Sequence, residues 1–395
     1  MGEGAKAGKG GSHRVCIVTY PFALSKVTKV YNLLFDLLEI FESVTDKLYV
    51  ITGNIPADEI PDNRKYHLIN FEMEKELRRH LPMYVAFPIW LFNYIIGQVK
   101  MSYNLLKISK NIDIVIFFLG YEYLLPILTA KILGKRTVMI VTISSKSAKM
   151  AYNKVFYYIS RIIERISYSL SDQLVVDPQN VSMLGLQRYE NKIAYGPRHV
   201  NLDSFKIIKK IDERENIVGY VGRFSEEKGI RNFADAIPLI FKECENVKFL
   251  MGGDGLLFKE IKQKLERYPS DKLIFMKWIP HENLPEYLNG LKLIVIPSYT
   301  ETGPFIALEA MACGTPVLST SVGLVSDIIK DGETGFILED NSPECIARNV
   351  IRASEHANLG EIVKNARKTI EEKFTYIAAV ERYREILYNS GVENT

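Results

Sequence analysis

A chain of 395 residues, 25% charged and 47% hydrophobic, is a soluble globular sequence long enough to bury the cores of two domains. Its four cysteines, Cys16, Cys244, Cys313 and Cys345, show no C-x-x-C spacing, which excludes a disulfide framework and a zinc site and points to a reducing cytosol. The net charge of +3 hides an asymmetry: residues 75 to 165 carry fourteen Lys or Arg against four Asp or Glu, so the N-terminal half is the one suited to an anionic partner.

In chain order, the opening MGEGAKAGKGGSH has no apolar core and reads as a disordered arm or tag over residues 1–12. Short β-branched runs then alternate with longer segments of helical period, the pattern of βαβ units around parallel sheets. Strands are predicted at Arg14 to Tyr20, Lys47 to Thr52, Ile112 to Phe118, Thr137 to Thr142 and Gln173 to Asp177. The pattern breaks at Gly196-Pro197, so an N-terminal domain is expected over 13–195 and a linker over 196–210. A second series follows at Ile217 to Val221, Val247 to Gly252, Leu273 to Met276, Leu293 to Ile296, Pro316 to Ser319 and Gly335 to Leu338, giving a second domain over 211–370. The expected class is α/β, with two Rossmann-like doubly wound domains facing each other across a cleft and ligands at the carboxyl ends of the strands.

Two apolar stretches qualify the basic half. MYVAFPIWLFNYIIG, residues 83 to 97, is uncharged, aromatic, interrupted by Pro88 and too short for the roughly 20 residues that span a bilayer. NKVFYYISRIIERISYS predicts an amphipathic helix, apolar at Val155, Phe156, Ile159, Ile162 and Ile163 with Arg161 and Arg165 alongside. Each stretch alone reads slightly better as a core helix of a Rossmann-like domain; together with the basic balance they tilt modestly towards an anionic membrane surface. Cations interleaved with long apolar runs do not make a nucleic-acid module.

The chemistry-bearing residues of the second half follow its strands. GYVGRFSEEKGI places Gly222, Arg223 and Lys228 ahead of a helix expected near Ile230, a combination that suits a diphosphate and equally an exposed charged turn. MGGDGLL supplies Gly253 and Asp254 in a second glycine loop. SYTETGPFIALEAMACGTPVLST sets Glu301 and Glu309 eight residues apart around Gly303-Pro304, with a helix expected to begin near Pro304. Glu309 inside that helix could accept two ribose hydroxyls, and the amides near Gly303 and Phe305 a phosphate; a paired structural carboxylate and a dipole complement are the plainer alternatives. No D-x-D pair or histidine cluster with ligand spacing accompanies them, so neither metal nor other cofactor is expected.

From Asn216 to Leu387, the ordered set GRFSEEKG, GGDG, LPEYLNGLKLIVIPSYTETGPFIALEAMACGTPVLST and VSDIIKDGETGFIL resembles the nucleotide-sugar domain of retaining GT-B glycosyltransferases of family 4. The resemblance implies that Arg223 and Lys228 neutralise a donor diphosphate, that Glu309 holds the ribose and Glu301 contacts the donor sugar. It also implies that Gly303, Pro304, Phe305 and Ile306 lie near phosphate and sugar, and that the segment 371–395 forms a helix crossing back to the N-terminal domain. The implied activity is retaining, metal-independent hexosyl transfer from a nucleoside-diphosphate sugar. The N-terminal half departs from that family: no glycine lies between Tyr20 and Asn32, and the usual histidine is missing from FFLGYEYLLP and IVTISSKSAK. Lys26, Tyr121, Glu122 and Ser144 are the acceptor-side candidates in its place, and His281 reads as a cap neighbour rather than an acid or base. The acceptor expected beside the basic, apolar half is lipid-linked or a phospholipid, with a cytoplasmic enzyme working at the membrane face. A noncatalytic nucleotide-sugar-binding protein and a soluble-acceptor enzyme, epimerase or phosphorylase on the same scaffold are the alternatives.

Overall fold

The computed structural model describes residues 13–21, 32–73, 83–120, 122–142, 154–178, 180–301 and 305–388. The chain divides into two compact units, the first comprising Met1–Gly196 and Val380–Thr395, the second Pro197–Ala379.

The first unit is built on seven parallel strands, β1 (Arg14–Thr19), β2 (Lys47–Gly53), β3 (His67–Phe71), β4 (Ile114–Phe118), β5 (Arg136–Ile140), β6 (Gln173–Val176) and β7 (Ile193–Tyr195). Their order is β3-β2-β1-β4-β5-β6-β7. The central β4 reads IVIFF and is buried throughout, as a strand covered on both faces requires. From β1 the chain steps one way to β2 and β3, then the other way through β4, β5 and β6. Right-handed crossovers therefore put α1 (Asn32–Val44) on one face and α2 (Met83–Ile108), α3 (Leu124–Ile132) and α4 (Lys154–Leu170) on the other. That second face closes over a core containing Val18, Phe117, Met139 and Leu174 from the strands with Met101, Leu105 and Ile127 from the helices. A fully buried side chain of this kind contributes about 1.5–3 kcal/mol.

The two apolar stretches of the basic half are both helical. The stretch 83 to 97 forms the first part of one helix that includes Pro88 and continues through Lys100 and Lys107 to Ile108. In α4, Ile162 is exposed while Ile163 packs on Tyr94 and Ser160, Glu164, Ser167 and Tyr168 are buried, so the packed side is only partly the apolar one.

The second unit carries six parallel strands, β8 (Ile217–Val221), β9 (Lys248–Gly252), β10 (Leu273–Met276), β11 (Leu293–Ile296), β12 (Val317–Thr320) and β13 (Phe336–Leu338), in the order β10-β9-β8-β11-β12-β13. Beyond the short α5 (Asn180–Leu184) of the first unit, this second unit holds α6 (Ile230–Glu243), α7 (Phe258–Leu265), α8 (Leu284–Gly290), α9 (Phe305–Ala312), α10 (Val325–Ile328), α11 (Pro343–Ser354) and α12 (Leu359–Lys373). Strand order reverses between β8 and β11, the switch point at which doubly wound sheets bind ligands.

The last helix, α13 (Tyr376–Tyr388), returns the chain to the first unit at Val380. There Tyr383 packs on Phe41 at 4.9 Å between ring centroids, and Arg136 donates to the carbonyls of Ile386 and Leu387 at 3.0 and 2.6 Å. A cation on the last carbonyls satisfies acceptors that a helix C-terminus otherwise leaves open.

Candidate functional site

At the carboxyl edge of the second sheet, three loops are joined by their own backbone. After β8, Gly222 donates to Gly252 at 3.0 Å and Phe224 to Asp254 at 2.9 Å, tying this loop to the one after β9. Tyr299, in the loop after β11, donates to the Glu227 carbonyl at 2.9 Å. Two glycines make the approach feasible. Gly253 has φ 131°, and a Cβ on it would overlap the Gly222 carbonyl; Gly229, at φ 66° before α6, would meet the Pro297 carbonyl in the same way.

Onto this frame the charged residues are set as follows. Lys228 Nζ lies 2.6 Å from Glu301 Oε1, bridging the loops after β8 and β11 across the switch point. Ser298 Oγ donates to the same oxygen at 2.8 Å, and its own carbonyl accepts from Thr320 Oγ1 at 2.6 Å. Glu301 is thus held, with its side chain only 9% exposed, by a lysine and a hydroxyl. Arg223 is exposed and, among the described residues, pairs with Glu227, 3.6 Å away and four residues on, the bland arrangement that its sequence also allowed. Tyr220 donates from its hydroxyl to the Arg223 carbonyl at 2.7 Å; burial, then the nearby Glu301 and Glu227 carboxylates, push its pKa up and keep it a neutral donor.

Glu309 sits in α9 and is buried. Its Oε1 lies 2.7 Å from His281 Nε2, and because a carboxylate only accepts, that nitrogen carries the hydrogen. His281 does stand before α8, with its carbonyl accepting from Leu284 N at 3.2 Å, but its ring also engages Glu309, so the reading of it as a cap neighbour alone is incomplete. Phe305 opens α9 half-exposed beneath the Arg198 guanidinium, 4.8 Å from the ring centroid. Ile306 is partly buried against the core beneath the site, and Asp254 is exposed, its Oδ1 accepting from Gly255 N at 2.8 Å.

Gly303, Pro304, Lys26, Tyr121 and Ser144 lie outside the described residues. Glu122 is described: Ser160 Oγ donates to its Oε1 at 2.6 Å and Gln98 Nε2 to its carbonyl at 2.5 Å, which ties it to α2 and α4 of the first unit. Sequence reading did not single out Ser298, Arg198 or Tyr220. Ser298 could have been found from its place three residues ahead of Glu301 in a loop of the right kind; the other two carry no local signal.

The geometry defines a doubly wound domain whose switch point offers a lysine, two held carboxylates and the N-terminal end of α9 to an anionic, hydroxyl-bearing ligand. Residues 203–370 match the family model for Glycosyl transferases group 1. Over 363 residues the chain is 26% identical to an uncharacterized glycosyltransferase of Methanocaldococcus jannaschii, covering 86% of this chain and 89% of that one. It is 27% identical over 237 residues to N-acetyl-alpha-D-glucosaminyl L-malate synthase of Bacillus anthracis, covering 58% of this chain and 60% of the synthase. Among solved structures, Anabaena HepE in complex with UDP superposes with a TM-score of 0.72 at 15% identity, over 95% of this chain and all of that one, a likeness that speaks for the fold. The fold is GT-B, with two parallel-sheet Rossmann-like domains, and the matches together support a glycosyltransferase.

Proposed function

We propose that the protein transfers a hexosyl group from a nucleoside-diphosphate sugar, with retention of anomeric configuration and without a metal, to a lipid-linked or phospholipid acceptor at a membrane face. The observation that carries the donor half of this reading is the Lys228–Glu301 bridge at 2.6 Å across the switch point, within the segment that matches the group 1 family. In the reaction the bond from the anomeric carbon to the diphosphate oxygen breaks and a bond to the acceptor oxygen forms on the same face. The acceptor's proton passes to the leaving phosphate oxygen. Negative charge gathers on the diphosphate, so the Lys228 ammonium, the Arg223 guanidinium and the amides around Phe305 and Ile306 stabilise that charge where it develops, while the Gly222 turn lets the backbone come close. Glu309 takes the ribose hydroxyls, oriented by His281, and Glu301 takes a hydroxyl of the sugar while keeping Lys228 in place. Gly253 and Asp254 shape the wall beside the diphosphate, and the two cations occupy the role that a metal would otherwise fill. The acceptor half is supported by the basic, apolar character of the first unit.

The test is a turnover screen of UDP-, GDP- and ADP-sugars with membrane lipid extract as acceptor source, reading nucleoside diphosphate release and the anomeric configuration of the product by proton NMR. One donor is expected to be consumed, with a product of the donor's configuration and a rate unchanged by EDTA. An inverted product contradicts retention, and a donor that raises the thermal midpoint without being consumed contradicts catalysis. His281→Ala is expected to raise the donor KM about fivefold, as loss of about 1 kcal/mol, the net worth of one ordinary hydrogen bond, would, with kcat nearly unchanged. An unchanged KM removes His281 from donor binding.

A further inference from the structure

The first unit carries two helices that bury polar side chains while leaving an apolar stripe open to water. On α2, Gln98 and Ser102 are buried, while Phe92, Ile95, Val99, Tyr103 and Leu106 form one exposed stripe at helical spacing. On α4, Ser160, Glu164 and Ser167 are buried, while Tyr158, Ile162 and Ile166 are exposed. Between them, α3 exposes Leu125, Leu128 and Ile132, the last at 86%. The buried polar groups are used as internal fastenings: Gln98 accepts from Leu125 N at 3.0 Å and donates to the Glu122 carbonyl, whose carboxylate takes the Ser160 hydroxyl. Soluble surfaces leave large apolar side chains exposed singly, not as three neighbouring stripes on one face of a sheet.

Charge selects the occupant. The three helices present Lys100, Lys107, Arg161 and Arg165, with Lys131 paired to Asp172 at 2.6 Å, against one carboxylate of their own, Glu164, which is buried and accepts from the Tyr168 hydroxyl at 3.1 Å. A second copy of the chain would bring two such basic faces together. An anionic lipid surface instead receives the apolar stripes at acyl depth, the tyrosines at the boundary and the cations among the headgroups. Beside α4, a cavity of about 210 Å³ is lined by Arg161, Arg165 and Arg188, together with the bonded Glu164. Among the described residues no helix is long and apolar enough to cross a membrane.

We infer that the α2–α3–α4 face docks on an anionic bilayer, with Arg161, Arg165 and Arg188 taking a lipid phosphate. This gives the lipid-acceptor reading its attachment surface, but its test needs no catalysis. The full chain is sedimented with vesicles of phosphatidylcholine alone and with about one third phosphatidylglycerol, the anionic fraction on which the cations act. Wild type is expected to pellet with the anionic vesicles. Replacing Phe92, Val99 and Ile162 together by Gln, all at exposed positions, is expected to lower the partition coefficient at least tenfold with an unchanged thermal midpoint. Arg161→Gln, Arg165→Gln and Arg188→Gln together should abolish the preference for anionic over neutral vesicles. No pelleting by wild type, or equal pelleting by the apolar triple variant, overturns the inference. So does a lipid-free dimer in sedimentation velocity that the same apolar substitutions dissociate, which would assign the face to a second copy. If docking fails while nucleotide sugar is still consumed, the transfer reading stands and only the membrane surface is lost.

Discussion

Lys228→Ala is expected to lower kcat by about 10²–10³-fold, the scale on which removing one preorganised donor to a developing anion acts. The lysine is the cation with a fixed address: its ammonium is held 2.6 Å from Glu301 Oε1 with its side chain 27% exposed, whereas Arg223 stands open to solvent beside Glu227. Arg223→Ala should therefore cost less than Lys228→Ala. Truncating Lys228 also leaves the Glu301 carboxylate with Ser298 as its remaining hydrogen-bond partner among the described residues, so a fall in activity could come from a disturbed loop. The thermal midpoint of the variant separates the two causes. If Lys228 acts on the diphosphate, kcat falls with the midpoint nearly unchanged; a disturbed loop lowers both. A single variant with kcat within threefold of wild type would remove Lys228 from the chemistry.

Arg214→Ala is expected to lower the thermal midpoint by roughly 8–15 °C, the shift that a loss of several kcal/mol produces in a domain of this size. Arg214 is buried, and its guanidinium donates to the carbonyls of Lys209, Leu291 and Cys313 at 2.9, 3.0 and 2.7 Å and to Thr315 Oγ1 at 2.8 Å. Leu291 follows α8 and Cys313 follows α9, so one side chain satisfies the ends of both helices, the second of which bears Glu309. Burial pulls its pKa down to about 10, and it still remains charged at neutral pH. Removing it strands several buried acceptors at about 1–3 kcal/mol each before relaxation. Arg214→Lys should recover little, since one ammonium cannot follow a planar fork of donors. A midpoint shift below 2 °C for Arg214→Ala would show that water replaces the guanidinium without cost.

Arg214 also marks the limit of what the sequence discloses. In IDERENIV it reads as part of a solvated charge run, because most of its acceptors, the carbonyls of Leu288, Leu291 and Cys313 and the Thr315 hydroxyl, lie 74 to 101 residues further along. The same separation hides the His281–Glu309 contact, 28 residues apart. The strands β8 and β11 match their predicted spans because buried parallel strands are continuous apolar runs, and the edge strand β10 matches because LIFM is apolar throughout. At the edges of the first sheet that signal fails: β3 reads HLINF and has no fully buried residue, and β7 is only the three residues IAY. Helix α4 misleads for the opposite reason. Its period is plain, but period alone does not say which side faces the core, and here Ser160, Glu164 and Ser167 do. Glu301 and Glu309 were legible as a pair because their spacing and the Gly-Pro between them are local features.

The central claim is that the switch point of the second unit binds a nucleoside diphosphate through Lys228 and Glu309. Calorimetric titration of UDP, GDP and ADP into wild type, Lys228→Ala and Glu309→Ala tests it without need of an acceptor. At least one nucleotide is expected to bind wild type and to bind each variant at least tenfold more weakly, as loss of a charge-assisted contact would give. Binding of none of the three, or equal dissociation constants in wild type and both variants, would contradict it.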